Sequence, residues 1–126
     1  MLYIGLGVVL GHNFPFYLGF KGGKGVASTA GIIMALDYRI AFVCLAIFIL
    51  IVAITRYVSL ASIVVMIIFI GMSHMLVKTN YGFTDGSSPM EFRLLVVIIG
   101  FLSIFMHRAN IKRLLSGTEN KIGKKV

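Results

Sequence analysis

Residues 58–77 constrain this chain more than any other stretch, because these twenty successive positions contain no Asp, Glu, Lys or Arg. An α-helix needs about 20 apolar residues to cross the hydrocarbon core of a bilayer. The composition agrees, since 59% of the 126 residues are hydrophobic, 13% are charged and the mean hydropathy is +1.00, outside the range of soluble proteins. We therefore predict an integral membrane protein in which residues 1–126 form a single membrane domain.

The other apolar stretches are shorter, and they set the expected fold class. Residues 40–55 and 92–106 each predict a short span, whereas residues 26–36 would reach only about 16 Å as a helix, half a membrane. Residues 1–10 have no positively charged segment typical of a signal peptide, so we expect them to finish a span whose beginning is absent or to enter the membrane partway. The prediction is an all-α, polytopic transmembrane helical bundle with short or half-spanning helices and a C-terminal amphipathic helix.

A polar, glycine-rich loop at residues 11–25 interrupts the apolar sequence. Glycine leaves its amide uncovered and permits the positive φ values that turn successive N–H groups toward one point. A helix beginning near Val26 would direct its unpaired amides to the same place, where lysines add positive charge. This pattern predicts a phosphate site. Glycines and cations are interleaved in it, in the order Lys21, Gly22, Gly23, Lys24 and Gly25.

Eight of the twelve Lys and Arg residues lie in this loop or in the tail at residues 107–126, with no folded basic domain between the two segments. The net charge of +8 therefore favours anionic lipid and small anionic substrates over nucleic acid. With the tail in the cytoplasm, alternation of the spans places nine of the twelve Lys and Arg residues on the cytoplasmic side. The loop and the tail are then expected to meet on one face.

Residues 107–120 predict a short interfacial helix that ends at Gly117. His107 and Asn110 are three positions apart and share one face of it. The basic residues of this helix alone would suit an anchor for lipid headgroups. His107 and Asn110 go beyond that interpretation, because a lipid anchor needs neither. The apolar stripe of the helix comprises Ile111, Leu114 and Leu115.

Three segments, separated by apolar spans, carry a family resemblance. They read GHNFPFYLGFKGGKGVASTAG at residues 11–31, RYVSLASI at 56–63 and HRANIKRLLSGTENKIG at 107–123. In this order they closely resemble the bacterial acyl-phosphate:glycerol-3-phosphate acyltransferases. The resemblance covers essentially all of residues 11–123, and the first and last segments are long and specific.

The resemblance implies an enzyme that transfers a fatty acyl group from acyl phosphate to the 1-hydroxyl of glycerol 3-phosphate, giving lysophosphatidic acid and phosphate for phospholipid biosynthesis. It implies no cofactor, no metal and no nucleic acid. The implied partners are the two substrates, membrane lipids and the soluble enzyme that makes acyl phosphate. The implied location is the cell membrane, with the active face and the C-terminus in the cytoplasm.

The resemblance also carries site residues onto this chain. A serine of the middle segment lines the family's site; Ser62 is our choice and Ser59 the other possibility. The acidic residue of the third motif, which we expect to support the site, matches Glu119. Expected catalytic residues are Lys24, His107 and Asn110. The family's phosphate-binding loop maps onto Gly22, Gly23, Lys24 and Gly25, flanked by His12 and Lys21.

One departure from the family, one poorly matching family and two rival classes bear on this expectation. Family members begin with further spans and a first motif that contributes a serine and an arginine, and no counterpart precedes Gly11, so we expect a chain truncated relative to the family. The His-x-x-x-x-Asp dyad of other glycerolipid acyltransferases is absent, because the fifth residues after the histidines are Tyr17, Thr79 and Lys112.

A small membrane anion or phosphate transporter would also use half-helices, but usually shows internal repeats. An inactive truncated relative acting as a membrane interaction protein would explain the basic tail but not the glycine-rich loop.

Overall fold

The computed structural model describes residues 2–19, 22–78 and 88–123, and the regular structure within these ranges is helical. The predicted all-α class is confirmed. In the described part of the segment between the first two helices, Phe16–Leu18 forms a 3₁₀ turn. The α-helices of the described residues are α1 (Leu2–Asn13), α2 (Val26–Leu36), α3 (Tyr38–Thr55), α4 (Val58–Lys78), α5 (Pro89–Met106) and α6 (Arg108–Leu115).

Three of these helices, α3, α4 and α5, are long and apolar enough to cross a membrane. They contain 18, 21 and 18 residues, which corresponds to about 27 to 31 Å of helix. The helix α2 has only 11 residues and matches the predicted half-length element in its bounds. The prediction that the loop begins at residue 11 is wrong, because α1 continues to Asn13 and the non-helical chain starts at Phe14.

Helices α3 and α5 begin earlier than hydropathy predicts, since polar side chains cap them. The Asp37 carboxylate accepts hydrogen bonds from the amides of Arg39 (2.7 Å) and Ile40 (3.4 Å). At the start of α5, Ser88 and Glu91 form a reciprocal capping box. Asp37, Ser88 and Glu91 therefore cap these two helices, and a count of apolar residues leaves them outside the helices.

The packing places α4 at the centre, against α3 on one side and α5 on the other. Helix α1 packs on α2 and α5, and α2 packs on α3. Large apolar side chains of α4 and α5 fill the interface between them. The most deeply buried of these are Met66, Phe69, Phe92, Val96 and Ile99.

Because successive helices run antiparallel, the polar segments collect at two ends of the bundle. The site end comprises residues 14–19, 22–25, 55–59 and 107–123, and the far end comprises residues 37–39 and 88–91 with the start of α1. The glycine-rich loop and the C-terminal tail both lie at the site end. The prediction that these two segments meet on one face is confirmed.

Candidate active site

A cleft of about 460 Å³ opens at the site end. The start of α2, the first turns of α4, helix α6 and the tail that follows α6 form its walls. A volume of this size is typical of sites for small ligands. The lining residues with polar side chains are Lys24, Ser59, Ser62, His107, Asn110, Arg113, Glu119, Asn120 and Lys121.

The tail forms a wall because it folds back onto the turn between α3 and α4. Gly117 has φ +70°, the left-handed conformation that reverses the chain after α6. The amide of Ile122 donates to the carbonyl oxygen of Arg56 at 2.9 Å. The Lys121 ammonium lies 5.0 Å from the centre of the Tyr57 ring. These contacts bring a segment from the chain terminus to the mouth of the cleft.

Glu119 joins the tail to α4 and α6. Its Oε1 accepts hydrogen bonds from Ser59 Oγ (3.0 Å) and Asn110 Nδ2 (2.7 Å), and its Oε2 pairs with Arg113 Nε (2.8 Å). Burial raises the pKa of the Glu119 carboxyl, but the hydrogen bonds from these three partners outweigh burial and leave the pKa below its ordinary value. Glu119 is therefore ionised at neutral pH and acts as a three-way acceptor.

His107 is held in one tautomer at the junction of α5 and α6. Its side chain is buried, and Nδ1 lies 2.7 Å from the carbonyl oxygen of Ser103. Since a carbonyl only accepts, Nδ1 carries the proton and Nε2 of the neutral ring is an acceptor. Burial has the largest effect and lowers the pKa of His107; the hydrogen bond to Ser103 raises it in part, the charge of Lys24 lowers it and that of Glu119 raises it, and the net shift is downward. The neutral ring is the form present at pH 7.

Asn110 lies one turn beyond His107 and is only 4% exposed. Its Nδ2 donates to Glu119, which fixes the orientation of the amide, whereas Oδ1 has no hydrogen-bond partner among the described residues. Buried polar atoms are rarely left unpaired in folded proteins. Asn110 thus lines the cleft and holds a fixed, buried acceptor that the described residues leave unpaired.

The glycine-rich loop is built differently from the sequence prediction. The amide of Gly22 donates to the carbonyl oxygen of Asn13 (3.2 Å), and that of Gly23 donates to His12 (3.1 Å). The expectation that these two amides stay free for a phosphate is wrong, because the end of α1 already binds them. The free amides belong to the start of α2. The first hydrogen bond of this helix runs from Thr29 N to Gly25 O (2.8 Å), so the backbone N–H groups of residues 26–28 have no partner within the helix.

Close packing explains why glycine occupies these positions. A Cβ on Gly22 would come within 2.1 Å of the carbonyl oxygen of His12, and a Cβ on Gly23 would come within 2.1 Å of His12 Nε2. Gly25 has φ +72°, which side chains disfavour. The imidazole of His12 packs on Gly23 and is not among the groups that line the cleft. His12 therefore supports the loop from behind.

Lys24 lines the cleft and is connected to the His107 segment through one residue of α5. The hydroxyl of Ser103 donates to the carbonyl oxygen of Lys24 at 3.4 Å, and the carbonyl of Ser103 accepts from His107. Ser103 thus contacts both segments that the sequence singled out. Nothing in its apolar surroundings within the sequence indicated this role. Lys21 lies outside the described residues.

An apolar pocket of about 350 Å³ adjoins the polar cleft between α2, α3 and α4. Val26 and Ser62 line both the pocket and the cleft. The Ser62 hydroxyl donates to the carbonyl of Val58 (2.9 Å), whereas the Ser59 hydroxyl is used by Glu119. Both candidate serines line the cleft, and Ser62 marks its boundary with the apolar pocket.

Comparison with known sequences identifies the family of this chain. A sequence model of the family described as glycerol-3-phosphate acyltransferase matches residues 1–117. The chain belongs to this family. Relatives named glycerol-3-phosphate acyltransferase include one from Clostridioides difficile (strain 630), 48% identical over 124 residues, which cover 94% of this chain and 52% of the relative. Another, from Thermoanaerobacter sp. (strain X514), is 41% identical over 121 residues, covering 96% of this chain and 56% of the relative.

Solved structures of the family share the fold. The crystal structure of PlsY (YgiH), an integral membrane glycerol 3-phosphate acyltransferase, in its glycerol 3-phosphate form matches with a TM-score of 0.81 at 38% identity, over 97% of this chain and 56% of that one. Its lysophosphatidic acid form matches with a TM-score of 0.80 at the same identity, over 97% and 57%. The present chain is thus a membrane protein that spans about half the length of the relatives it matches.

The family motifs located some of the site and missed other parts of it. Of the residues predicted from them, Lys24, His107, Asn110, Ser62 and Glu119 line the cleft. Among the residues that were not predicted, Arg113, Asn120 and Lys121 also line it and Ser103 lies behind it. Lys121 could be seen in the sequence, two positions after Glu119. The sequence alone did not distinguish it from the other lysines of the tail.

Proposed function

We propose that this chain transfers a fatty acyl group from acyl phosphate to the 1-hydroxyl of glycerol 3-phosphate, giving lysophosphatidic acid and inorganic phosphate. Membership of the glycerol-3-phosphate acyltransferase family supports this proposal. So does the match to a structure of PlsY in its glycerol 3-phosphate form. The donor in this proposal is acyl phosphate, as the sequence resemblance implies.

One observation carries the proposal: a polar, basic cleft and an apolar pocket share Val26 and Ser62. Acyl phosphate has a phosphate head joined directly to a long hydrocarbon chain, so its two parts require adjacent sites of opposite character. With the head in the cleft and the chain in the pocket, the acyl carbonyl would lie near the shared boundary. Glycerol 3-phosphate, which is polar throughout, would occupy the remainder of the cleft.

The charged and polar groups of the cleft suit two phosphates. Lys24 supplies a full positive charge, and the free amides at the start of α2 add partial charges that favour an anion. Groups fixed before substrate binds need not reorganise as charge develops, which makes them effective in stabilising a transition state. In this proposal the His107 Nε2 acceptor orients the glycerol hydroxyl, next to the buried and unpaired Oδ1 of Asn110.

The reaction needs no covalent intermediate on the protein. The 1-hydroxyl oxygen attacks the acyl carbonyl carbon, a new C–O bond forms, and the C–O bond to phosphate breaks. The hydroxyl proton passes to the departing phosphate, which is basic enough to accept it. Because acyl phosphate is already activated, the main tasks of the protein are alignment and shielding of negative charge.

The orientation and partners follow the same proposal. The excess of Lys and Arg at the site end favours a cytoplasmic active face in the cell membrane. In α6, Leu115 is 85% exposed and Arg108 lies over the Phe105 ring, an arrangement suited to contact with membrane lipids. A soluble enzyme that produces acyl phosphate would approach from this face.

The proposal is tested with the purified chain in lipid vesicles, supplied with acyl phosphate and glycerol 3-phosphate. We expect formation of lysophosphatidic acid by the wild type and a loss of about 10²- to 10³-fold in kcat/KM for Lys24→Ala, because one preorganised charge is removed. The matched control, Lys78→Ala, removes a cation in the last turn of α4, at the opposite end of the bundle from Lys24, and should retain the wild-type rate.

Two results would contradict the proposal. A wild-type chain that is folded and inserted but forms no lysophosphatidic acid would exclude the activity for this chain. Phosphate uptake into the vesicles in place of acyl transfer would favour the transporter that the sequence left open.

A further inference from the structure

We infer that Lys121 is a second phosphate-binding residue of the cleft, acting on a different phosphate group from Lys24. This inference rests on the proposed function, since it names the contact for the second phosphate that the reaction requires. The ligand chemistry is a phosphoryl group, which either glycerol 3-phosphate or acyl phosphate could supply. The experiment below distinguishes these two sources.

The charges of the cleft lead to this inference. Its lining cations are Lys24, Arg113 and Lys121. Arg113 is paired with Glu119 at 2.8 Å, so these two side chains together contribute little net charge. In the described part of the chain neither lysine pairs with a carboxylate. The cleft therefore holds two uncompensated positive charges, and the proposed reaction brings two phosphates into it.

The two lysines belong to separate walls of the cleft. Lys24 precedes α2, next to the boundary with the apolar pocket at Val26. Lys121 belongs to the returning tail, whose other cleft residues, Glu119, Asn120 and Ile122, do not line the apolar pocket. With one phosphate beside each lysine, the two anionic groups are separated. This separation lowers the electrostatic repulsion between them.

The position of Lys121 is fixed by its neighbours. Two residues earlier, Glu119 accepts three hydrogen bonds; one residue later, the Ile122 amide donates to Arg56 at 2.9 Å. The ammonium itself lies over the Tyr57 ring at 5.0 Å. A cation–π contact at an exposed site is weak and leaves the hydrogen-bond donors of the ammonium available. Lys121 is thus held in place through its neighbours Glu119 and Ile122, and its ammonium group is available to bind an anion.

A simpler interpretation is that Lys121 only attracts anionic lipid, like other exposed lysines of the tail. Lys112 provides the matched comparison, because it is exposed, as Lys121 is. Lys112 lies in α6 and does not line the cleft. Lipid attraction alone predicts similar effects for both lysines. Phosphate binding in the cleft predicts an effect for Lys121 alone.

The test measures binding and turnover with the purified full chain. Equilibrium dialysis with labelled glycerol 3-phosphate gives Kd without requiring catalysis, and steady-state rates in vesicles give KM for each substrate separately. For Lys121→Met we expect Kd or KM for one of the two substrates to rise about tenfold to a hundredfold, with kcat changed much less. Lys121→Arg should restore most of the affinity, and Lys112→Met should match the wild type.

Each outcome has a defined meaning. A rise confined to glycerol 3-phosphate assigns Lys121 to the acceptor, and a rise confined to acyl phosphate assigns it to the donor. Unchanged constants in Lys121→Met, or equal changes in Lys112→Met, would overturn the inference while leaving the proposed function intact. Binding of glycerol 3-phosphate that depends on Lys121 in a chain without transferase activity would contradict the proposed function and support the inference.

Discussion

The two ends of the bundle use polar side chains in different ways. At the far end, Asp37 pairs with Arg39 two residues away, and Ser88 pairs with Glu91 three residues away. At the site end, Ser59 reaches Glu119 over 60 positions and Ser103 reaches Lys24 over 79. The far end is thus held by two local helix caps and by one exposed distant contact, from the Tyr3 hydroxyl to Glu91, whereas at the site end the buried residues Ser59 and Ser103 contact distant segments.

This difference separates polar groups that satisfy their own helix from polar groups that remain available to a ligand. A helix cap satisfies amides of its own helix and is complete without a ligand. The site end keeps groups that its own contacts do not use, namely the Asn110 Oδ1 acceptor, the His107 Nε2 acceptor and two lysines without carboxylate partners in the described ranges. The far end stabilises helices, whereas the site end stabilises an open, basic cleft.

The strongest test of this comparison removes one carboxylate from each end. Glu119→Ala leaves three donors at the site end without their acceptor, so we expect a loss of about 2 to 4 kcal/mol in unfolding free energy together with most of the activity. Glu91→Ala removes half of a capping box and the exposed acceptor of the Tyr3 hydroxyl, and should cost about 1 kcal/mol, less than the loss at Glu119. Thermal unfolding of both variants in one detergent measures the difference, and equal losses would contradict the comparison.

A pH profile tests the state assigned to His107. Because burial lowers its pKa below the ordinary value of 6.5, the neutral ring with an acceptor Nε2 persists through neutral pH. We expect kcat at saturating substrate to be flat above pH 6.5 and to fall, about tenfold per pH unit, once the ring gains its second proton below that value.

His107→Gln supplies the control for this profile. Substrate phosphate also titrates, with a pKa of about 6, and would show in the variant as well. An acid limb that is identical in the wild type and in His107→Gln would therefore belong to substrate. An acid limb in the wild type at or above pH 6.5 would contradict the assigned lowering of the pKa.

The smallest effect is expected for Ser103, which acts through two other residues. Its bond to the Lys24 carbonyl is long, at 3.4 Å, so Ser103→Ala should lower kcat by about two- to tenfold with little change in stability. Ser73→Ala is the matched control, because that serine is equally buried in α4 and its hydroxyl has no partner in the described residues. Equal effects of the two substitutions would indicate a general response to losing a buried hydroxyl.

The sequence predicted the helices well because hydropathy is a local property. The bounds of α2 were predicted to the residue, and the ends of α3 and α5 agree as well. The starts of α3 and α5 were missed by two or three residues, since Asp37 and Ser88 cap them with polar atoms that an apolar count excludes. The roles proposed for Lys24, His107, Asn110 and Ser62 stay predictions, although all four line one cleft.

The sequence by itself determined that the chain is a helical membrane protein, and it located the segments that carry the family motifs. It could do so because the length of an apolar run and the spacing of residues are local properties of the sequence. Only the tertiary structure decided how those segments are used. It binds the amides of Gly22 and Gly23 to the end of α1, and it returns Lys121 to the cleft through the Ile122 contact with Arg56. These contacts join residues that are distant in sequence, so no local pattern encodes them.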